Sequence, residues 1–290
     1  IALNIHLSVD RLERSVGQDD LTIDDYDQWL IGQQLIMDDR PESWDRAMRL
    51  FQGLVERQPR FSRGHSGLAQ AIGLKHVAFP GIFSDEESRA ASFHHSRRAI
   101  ELDPLDSRSQ LCMGWGCAML GQYERAEIAF ELAHKNNEND PWTIVSAAVG
   151  LAFCDRLETA SELSKVALSI DLNPSKAQWS YQAVIFFITG DYERCVHACQ
   201  LGQDIFPDTR SWHVASLIQL GDCEQAKQSL LEFLTNTREN WLGSDPPSDH
   251  KIARWLVNCY PFRSSTPWLC FAEGLTEAGL KMPLLEHAEC

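Results

Sequence analysis

Three phrases recur along the chain: GQYERA (Gly121 to Ala126), GDYERC (Gly190 to Cys195) and GDCEQA (Gly221 to Ala226). Gly121 and Gly190 are 69 residues apart, and RLETA (Arg156 to Ala160) fills the register between them, with Ala126 to Ala160 spaced 34 and Ala160 to Cys195 spaced 35. A second marker is a proline after an apolar and acidic run, at Pro59, Pro104, Pro141, Pro174 and Pro207, spaced 45, 37, 33 and 33. A fixed period of this length marks an array of supersecondary units, each too small to bury its own apolar face. Within a unit, glycine ends a first helix and tyrosine wedges between two helices. The small residue four or five positions on lets the backbones approach, and proline stops the second helix.

This pattern resembles the tetratricopeptide repeat (TPR), a helix–turn–helix unit of 34 residues with a small residue early in its second helix, an apolar one four later and a terminal proline. Ala47, Phe51 and Pro59 fit the second half of one unit; Ala126, Phe130 and Ala133 fit another. The resemblance implies an all-α, right-handed superhelical solenoid of about five to six helical pairs with an atypical C-terminal cap. The 45-residue step holds an insertion of about eleven residues around Ala78 to Ala91, where Pro80, Gly81 and the acidic run Asp85 to Glu87 indicate a loop. That loop is read as a solvated connector, or as a lid or contact surface carrying Phe79, Ile82 and Phe83. The repeats are expected over 24–242. A linker by composition, GSDPPSD (Gly243 to Asp249), and capping helices around His250–Tyr260 and Thr266–Leu280 occupy 243–290. Residues 1–23 form a lead-in: Ile1, Leu3, Ile5, Leu7 and Val9 alternate like a strand, while Ile5, Val9 and Leu12 fit a helical face, which is preferred.

Two flanks extend the resemblance. DDYDQWLIGQQL (Asp24 to Leu35) is similar to an AYDLYLRG-type opening segment, and PFRSSTPWLCFAEGLTEAGLKMP (Pro261 to Pro283) to a PF…GLRKAGLP ending. Both belong to the TPR region at the C-terminus of bacterial signalling proteins, where it follows a winged-helix or SARP-type activator domain, or a class III adenylate cyclase domain. The resemblance implies a regulatory, interaction-bearing module of a cytoplasmic bacterial regulator, with its output domain outside this chain. Ile1 in place of Met fits a piece cut from a longer protein. GLTEAGL stands where GLRKAGL is common, so the usual basic pair is missing.

Composition narrows the partners. Lys and Arg total 26 against 41 Asp and Glu, a net charge of −15, and a field of that sign repels phosphate backbones and anionic membranes. Neither direct nucleic-acid contact nor a membrane is expected. Nine cysteines, none in a CxxC pair, are the usage of a reducing compartment. Cys195 and Cys199, with His197 between them, share a helix face at i, i+4 and invite a thiolate reading. They also occupy the registers of Ala126 and Phe130, which the repeat turns inward, so packing is expected and no metal. The pair His94–His95 points in diverging directions on a helix, and Asp24–Asp25, Asp38–Asp39 and Glu86–Glu87 fall at helix starts or in loops, where acids favour the helix dipole. With no phosphate loop, nucleophile elbow or zinc helix in the sequence, no catalysis and no cofactor is expected.

What remains is a recognition surface. Counting register along each first helix nominates Arg63 and Gln70; Arg108, Leu111 and Trp115; Trp142, Val145 and Val149; and Tyr181, Gln182 and Ile185 for the concave face. Aromatics with a few Arg and Gln groups suit a protein or peptide partner or a small effector, with Arg able to meet a carboxylate. The alternative is a homodimer scaffold that uses the C-terminal helices or the Phe79–Phe83 loop.

Overall fold

A left-handed residue at the end of four first helices decides where this chain turns. Gly121, Gly190 and Gly221 have φ of 70°, 82° and 81°, and between the first two Asp155 adopts φ 64° in glycine's place. After each, an amide reaches back five residues: Gln122 to Cys117, Arg156 to Leu151, Asp191 to Phe186 and Asp222 to Leu217. These bonds satisfy carbonyls that a helix end otherwise leaves open, and the next helix starts within two residues.

The computed structural model describes residues 22–38 and 40–283; the expected lead-in helix over 1–23 lies almost wholly outside them. Fourteen α-helices run through the described residues. They are α1 (Ile23–Leu35), α2 (Pro41–Arg57), α3 (Ser62–Ala78), α4 (Glu86–Leu102), α5 (Ser107–Met119), α6 (Tyr123–Asn136) and α7 (Pro141–Phe153). There follow α8 (Leu157–Ile170), α9 (Lys176–Ile188), α10 (Tyr192–Gly202), α11 (Thr209–Gln219), α12 (Cys223–Glu239), α13 (Asp249–Cys259) and α14 (Ser265–Ala278). The first twelve form six antiparallel hairpins. First helices α1, α3, α5, α7, α9 and α11 each touch the next first helix, whereas each second helix packs on its own partner and on the first helix that follows. The first helices therefore line the inner curve, and the fold is all-α with paired helical repeats.

The recurring small residue sits at full burial: Ala47, Ala126, Ala160, Cys195 and Ala226 are each 0% exposed. Cys195 thus stands in an alanine site, Cys199 is buried one turn on, and His197 is exposed on the far face. The apolar residue four positions after the small one is a ring in two units, and glycines make room for it. Phe130 lies against Gly114 and Gly150, where an added Cβ would fall 2.5 and 2.2 Å from ring atoms; Phe51 lies likewise against Gly32 and Gly67 at 2.5 and 2.6 Å. Each ring locks two consecutive first helices together.

The prolines act on both sides of the turn. Pro59 and Pro104 follow α2 and α4, but Pro141 opens α7, where its missing N–H costs nothing. Asp106 and Asp140 cap α5 and α7 by accepting the amide hydrogens of Ser109 and Thr143 at 2.8 and 3.2 Å.

The insertion differs from the loop expected over 78–91. Much of it is helix: α3 and α4 each have 17 residues, and Asp85 caps α4 by accepting the Ser88 amide at 2.7 Å. Only 79–85 is irregular, and it is not a free lid. Pro80 accepts a hydrogen bond from the Leu242 amide at 2.8 Å, and the Ser84 amide donates to Asn258 at 2.7 Å. The cap is what holds it: α13 touches both α12 and α3, while α14 packs on α11 and α12. Trp255, fully buried on α13, donates its indole N–H to the His76 carbonyl at 2.7 Å. Beyond α13, the Tyr123 hydroxyl donates to the Phe262 carbonyl, Arg263 pairs with Glu124 and Glu127, and the Ser264 hydroxyl donates to Asp155. The C-terminal segment therefore crosses the inner curve from the sixth hairpin to the second. No described helix is long and apolar enough to cross a membrane.

Candidate functional site

Crossing the inner curve turns a groove into a partly covered cavity of about 150 Å³. Its walls come from successive first helices, namely Gln70, Gly73 and His76 of α3, Arg108, Leu111, Trp115 and Gly116 of α5, Trp142, Ser146 and Val149 of α7, Tyr181 and Val184 of α9 and Trp212 of α11. Cys259 and Tyr260 of the crossing segment form the remaining side. The lining is aromatic because the register turns these rings inward. Trp142 stacks on Tyr181 at 5.1 Å, Tyr181 on Phe206 at 5.7 Å, and Trp115 sets its edge against Phe130 and donates to the Ser146 hydroxyl at 3.3 Å.

Seven of the eleven concave positions read from sequence line this cavity: Gln70, Arg108, Leu111, Trp115, Trp142, Val149 and Tyr181. Arg63 stands beside it, its guanidinium over the rings of Tyr26 and Trp29 at 5.3 and 4.9 Å. Val145, Gln182 and Ile185 do not reach it. Val145 and Ile185 are 0% exposed, packed between helices, and Gln182 is sealed against α8, accepting from the Ser164 hydroxyl at 2.5 Å. The reason is helical rotation: Val145, three on from Trp142, Ile185, four on from Tyr181, and Gln182, next to Tyr181, fall beside the inward stripe. On α7 the stripe is continued by Ser146, and on α9 by Val184. A lone serine within the otherwise apolar run VSAAVG was the signal for the first; nothing local marked Cys259, Tyr260 or Trp212.

The loop residues are corrected as well. Phe79 is buried edge-on against Trp44 at 5.3 Å, and Ile82 packs on the same N-terminal core; only Phe83 is exposed. The loop and the C-terminal helices proposed as a dimer face are engaged with each other.

Several polar groups of the wall are buried. The Tyr260 hydroxyl donates to Asp208 at 2.6 Å; burial pushes the Asp208 carboxyl up and, with the Asp208 charge, the Tyr260 phenol. Burial also raises the Cys112 thiol to about 12 and the Cys199 and Cys259 thiols, so none of the three carries thiolate character. His76 is 3% exposed in the cavity wall, its two ring nitrogens meet no partner, and burial followed by the Arg89 charge lowers it to about 4. The His94 and His95 rings meet edge-on at 5.2 Å, and His95 is engaged elsewhere: His65 donates from Nε2 to the Pro59 carbonyl at 3.1 Å, which leaves its Nδ1 to accept from His95 Nδ1 at 3.1 Å. Burial lowers His65 and takes His95 to about 4. No group of three or more potential metal ligands gathers among the described residues.

These histidines set a pH dependence. From about pH 6.5 down to about 4 the unfolded chain binds protons that folded His76 and His95 refuse, so their stabilisation, complete above 6.5, is lost as pH falls. His65 and His213 act in the same direction. Asp208 opposes them, its raised carboxyl favouring the fold at low pH and losing that contribution as pH rises. Four histidines against one carboxyl give a urea midpoint that falls between pH 7 and 5. His76→Leu is expected to flatten the fall, since that one ring accounts for on the order of 3 kcal/mol at full protonation; an unchanged slope would show that His76 is solvated.

No family model matches the sequence, and no curated protein matches it. Solved structures do. A TPR protein of Thermus thermophilus covers 67% of this chain and 99% of its own, at 15% identity and a TM-score of 0.51. PilW, a type IV pilus biogenesis factor, covers 74% of this chain and 94% of its own, at 11% identity and 0.52. The APC/C hetero-tetramer Cut9–Hcn1 covers 81% of this chain at 14% identity and 0.54, with this chain spanning 46% of that one. Identities so low speak for architecture alone, and they agree with the six hairpins, the buried small residues and the left-handed turns: in fold this chain is a tetratricopeptide-type helical-repeat protein.

Proposed function

We propose that this chain is an effector-sensing TPR module, a regulatory domain that takes a small molecule into the cavity inside its superhelix and thereby controls an output domain outside this chain. The carrying observation is that the inner curve, where an extended peptide would lie, is crossed by the chain's own C-terminal segment, leaving a partly covered cavity with aromatic walls. A guest that contacts α3, α5, α7 and the α13–α14 connection together favours the closed arrangement by as much as it binds that arrangement better. The flanking segments Asp24 to Leu35 and Pro261 to Pro283 support the context of a bacterial transcriptional regulator, since both resemble segments of such proteins and both are parts of this fold. A protein partner of the wider regulator would then read the closed or open cap.

Gly116 offers a place to test the cavity. It lies inside α5 in the cavity wall, and an added Cβ would come into ordinary contact with Phe93 of α4, 3.6 Å from its Cδ2 and 3.8 Å from its Cα. Glycine there costs about 1 kcal/mol of helix propensity relative to alanine. Gly116→Ala is therefore expected to raise the urea-derived stability by about 0.5–1 kcal/mol, while Gly116→Leu fills the space. The test is calorimetric titration with indole, an uncharged probe. Saturable binding to the native chain, lost in folded Gly116→Leu, supports the reading; no binding to the native chain contradicts it. In the full-length regulator, Trp115→Ala with Tyr181→Ala should abolish the effector response.

A further inference from the structure

The geometry points to a small organic acid as the guest: a molecule with a compact aromatic or alicyclic body and one carboxylate, which Arg108 receives. This rests on the cavity reading above and adds its chemistry.

Arg108 lines the cavity from the first turn of α5. Its Nη1 donates to the amide oxygens of Gln33 at 2.6 Å and Gln70 at 3.0 Å, and its guanidinium lies over Trp29 at 5.8 Å. All of these partners are neutral. No ion pair joins Arg108 among the described residues, although the chain holds 41 acids against 26 bases. Arg63 approaches the same indole at 4.9 Å, and it too donates to a neutral group, the Tyr26 hydroxyl. Two guanidinium groups thus converge on one ring with no acid between them. Partly buried in the cavity region with neutral partners only, the two guanidinium groups make a site open to an anion. The two neutral amides fix the Arg108 fork while leaving Nη2 and Nε to donate, the geometry a carboxylate accepts in pairs.

The other cationic wall residue, Arg89, differs in having an acid beside it, Asp85. It donates to the Ser84 carbonyl at 2.6 Å, and its charge adds to the Ser88 hydrogen bonds that hold the Asp85 carboxyl low. His76, nearly sealed from solvent and without a partner for either ring nitrogen, gives the cavity a second polar group, able to donate or accept at neutral pH. Between these groups the walls are aromatic: Trp115, Trp142 and Tyr181. A flat apolar body therefore fits between them, and a volume of about 150 Å³ suits a single ring system more than a long chain. The general field of a −15 chain disfavours anions at a distance, so selectivity for the acid rests on the local guanidinium.

The experiment compares matched pairs of probes, phenylacetate with phenylacetamide and indole-3-acetate with indole-3-acetamide, by calorimetric titration against the native chain, Arg108→Gln, Arg108→Lys and Arg89→Gln. Each acid is expected to bind the native chain at least tenfold more tightly than its amide. That ratio falls below threefold in Arg108→Gln, is intermediate in Arg108→Lys, which keeps the charge and loses the fork, and is unchanged in Arg89→Gln. Circular dichroism confirms that each variant is folded, and unchanged amide affinity in Arg108→Gln shows that its cavity is intact. Equal affinities of acid and amide for the native chain, or a ratio that survives Arg108→Gln, would overturn the inference while leaving the cavity reading in place. Absence of binding by all four probes would overturn both.

Discussion

Phe130→Ala is expected to lower stability by about 3–5 kcal/mol, and its sign-reversing companion is Gly150→Ala. Phe130 is 0% exposed, and its ring fills the space that glycines leave on α5 and α7. With the ring present, a methyl group at 150 falls 2.2 Å from Cζ, so the ring or the helix must move, at about 1–3 kcal/mol and against a helix-propensity gain of about 1. With the ring removed, the same methyl enters free space, and only the propensity gain remains. A double-mutant cycle read by urea denaturation should therefore show Gly150→Ala destabilising in the native background and neutral or stabilising in Phe130→Ala. Equal effects in both backgrounds would mean that the third and fourth hairpins are not held by this interlock. Because stability in a solenoid is largely the sum of interfaces between neighbours, the loss at this one joint should also split the unfolding transition.

Trp255→Ala carries the second large effect. The side chain is fully buried, packs in the main apolar core, and donates its indole N–H to the His76 carbonyl. Truncation leaves a large void, costing about 3–5 kcal/mol, and deprives that carbonyl of its partner. Position matters more than the sum. Trp255 fastens α13 to α3, so its loss frees the crossing segment while hairpins one to six keep their own contacts. The expected result is a second, low-stability transition in which the cap leaves first, together with a loss of indole binding in the still-folded array. A single transition shifted as a whole would show instead that cap and repeats are inseparable.

How much of this was legible in the residues follows from the range of each interaction. The turns, the buried Ala and Cys registers and the capping aspartates act within a few residues, and GQYERA, GDYERC and GDCEQA state them directly. Cys195 and Cys199 illustrate the gain: beside Ala126 and Phe130 they read as packing, and their burial and Cys199's raised thiol agree. Half-turn errors entered where a helix is apolar on several faces. Ile144 and Val145 look alike in sequence, whereas Ser146 and Val149 hold the inward stripe, and Val145, Gln182 and Ile185 fall to the walls between helices. The insertion read as a loop because Pro80 and Gly81 are turn residues; it extends α3 and α4, and those longer helices give the cap its landing place. That landing joins residues 179 apart, Trp255 and His76, and no periodic signal records it. The cavity depends on this contact, which is why its far side, Cys259 and Tyr260, was invisible while its aromatic floor was not.

Hydrogen exchange of the native chain tests the central claim most directly, namely that the C-terminal segment is docked across the inner curve and partly covers the cavity. Amides of α13, including Trp255 and Leu256, should be protected to within about tenfold of those in α11, and Trp255→Ala should remove that protection from α13 while sparing α7 and α9. The amides of Ser84 and Leu242, bonded to Asn258 and Pro80, should slow together with α13. Exchange of α13 at the rate of an isolated helix in the native chain, with α11 fully protected, would mean that the cap is undocked in solution and that the inner curve is an open groove.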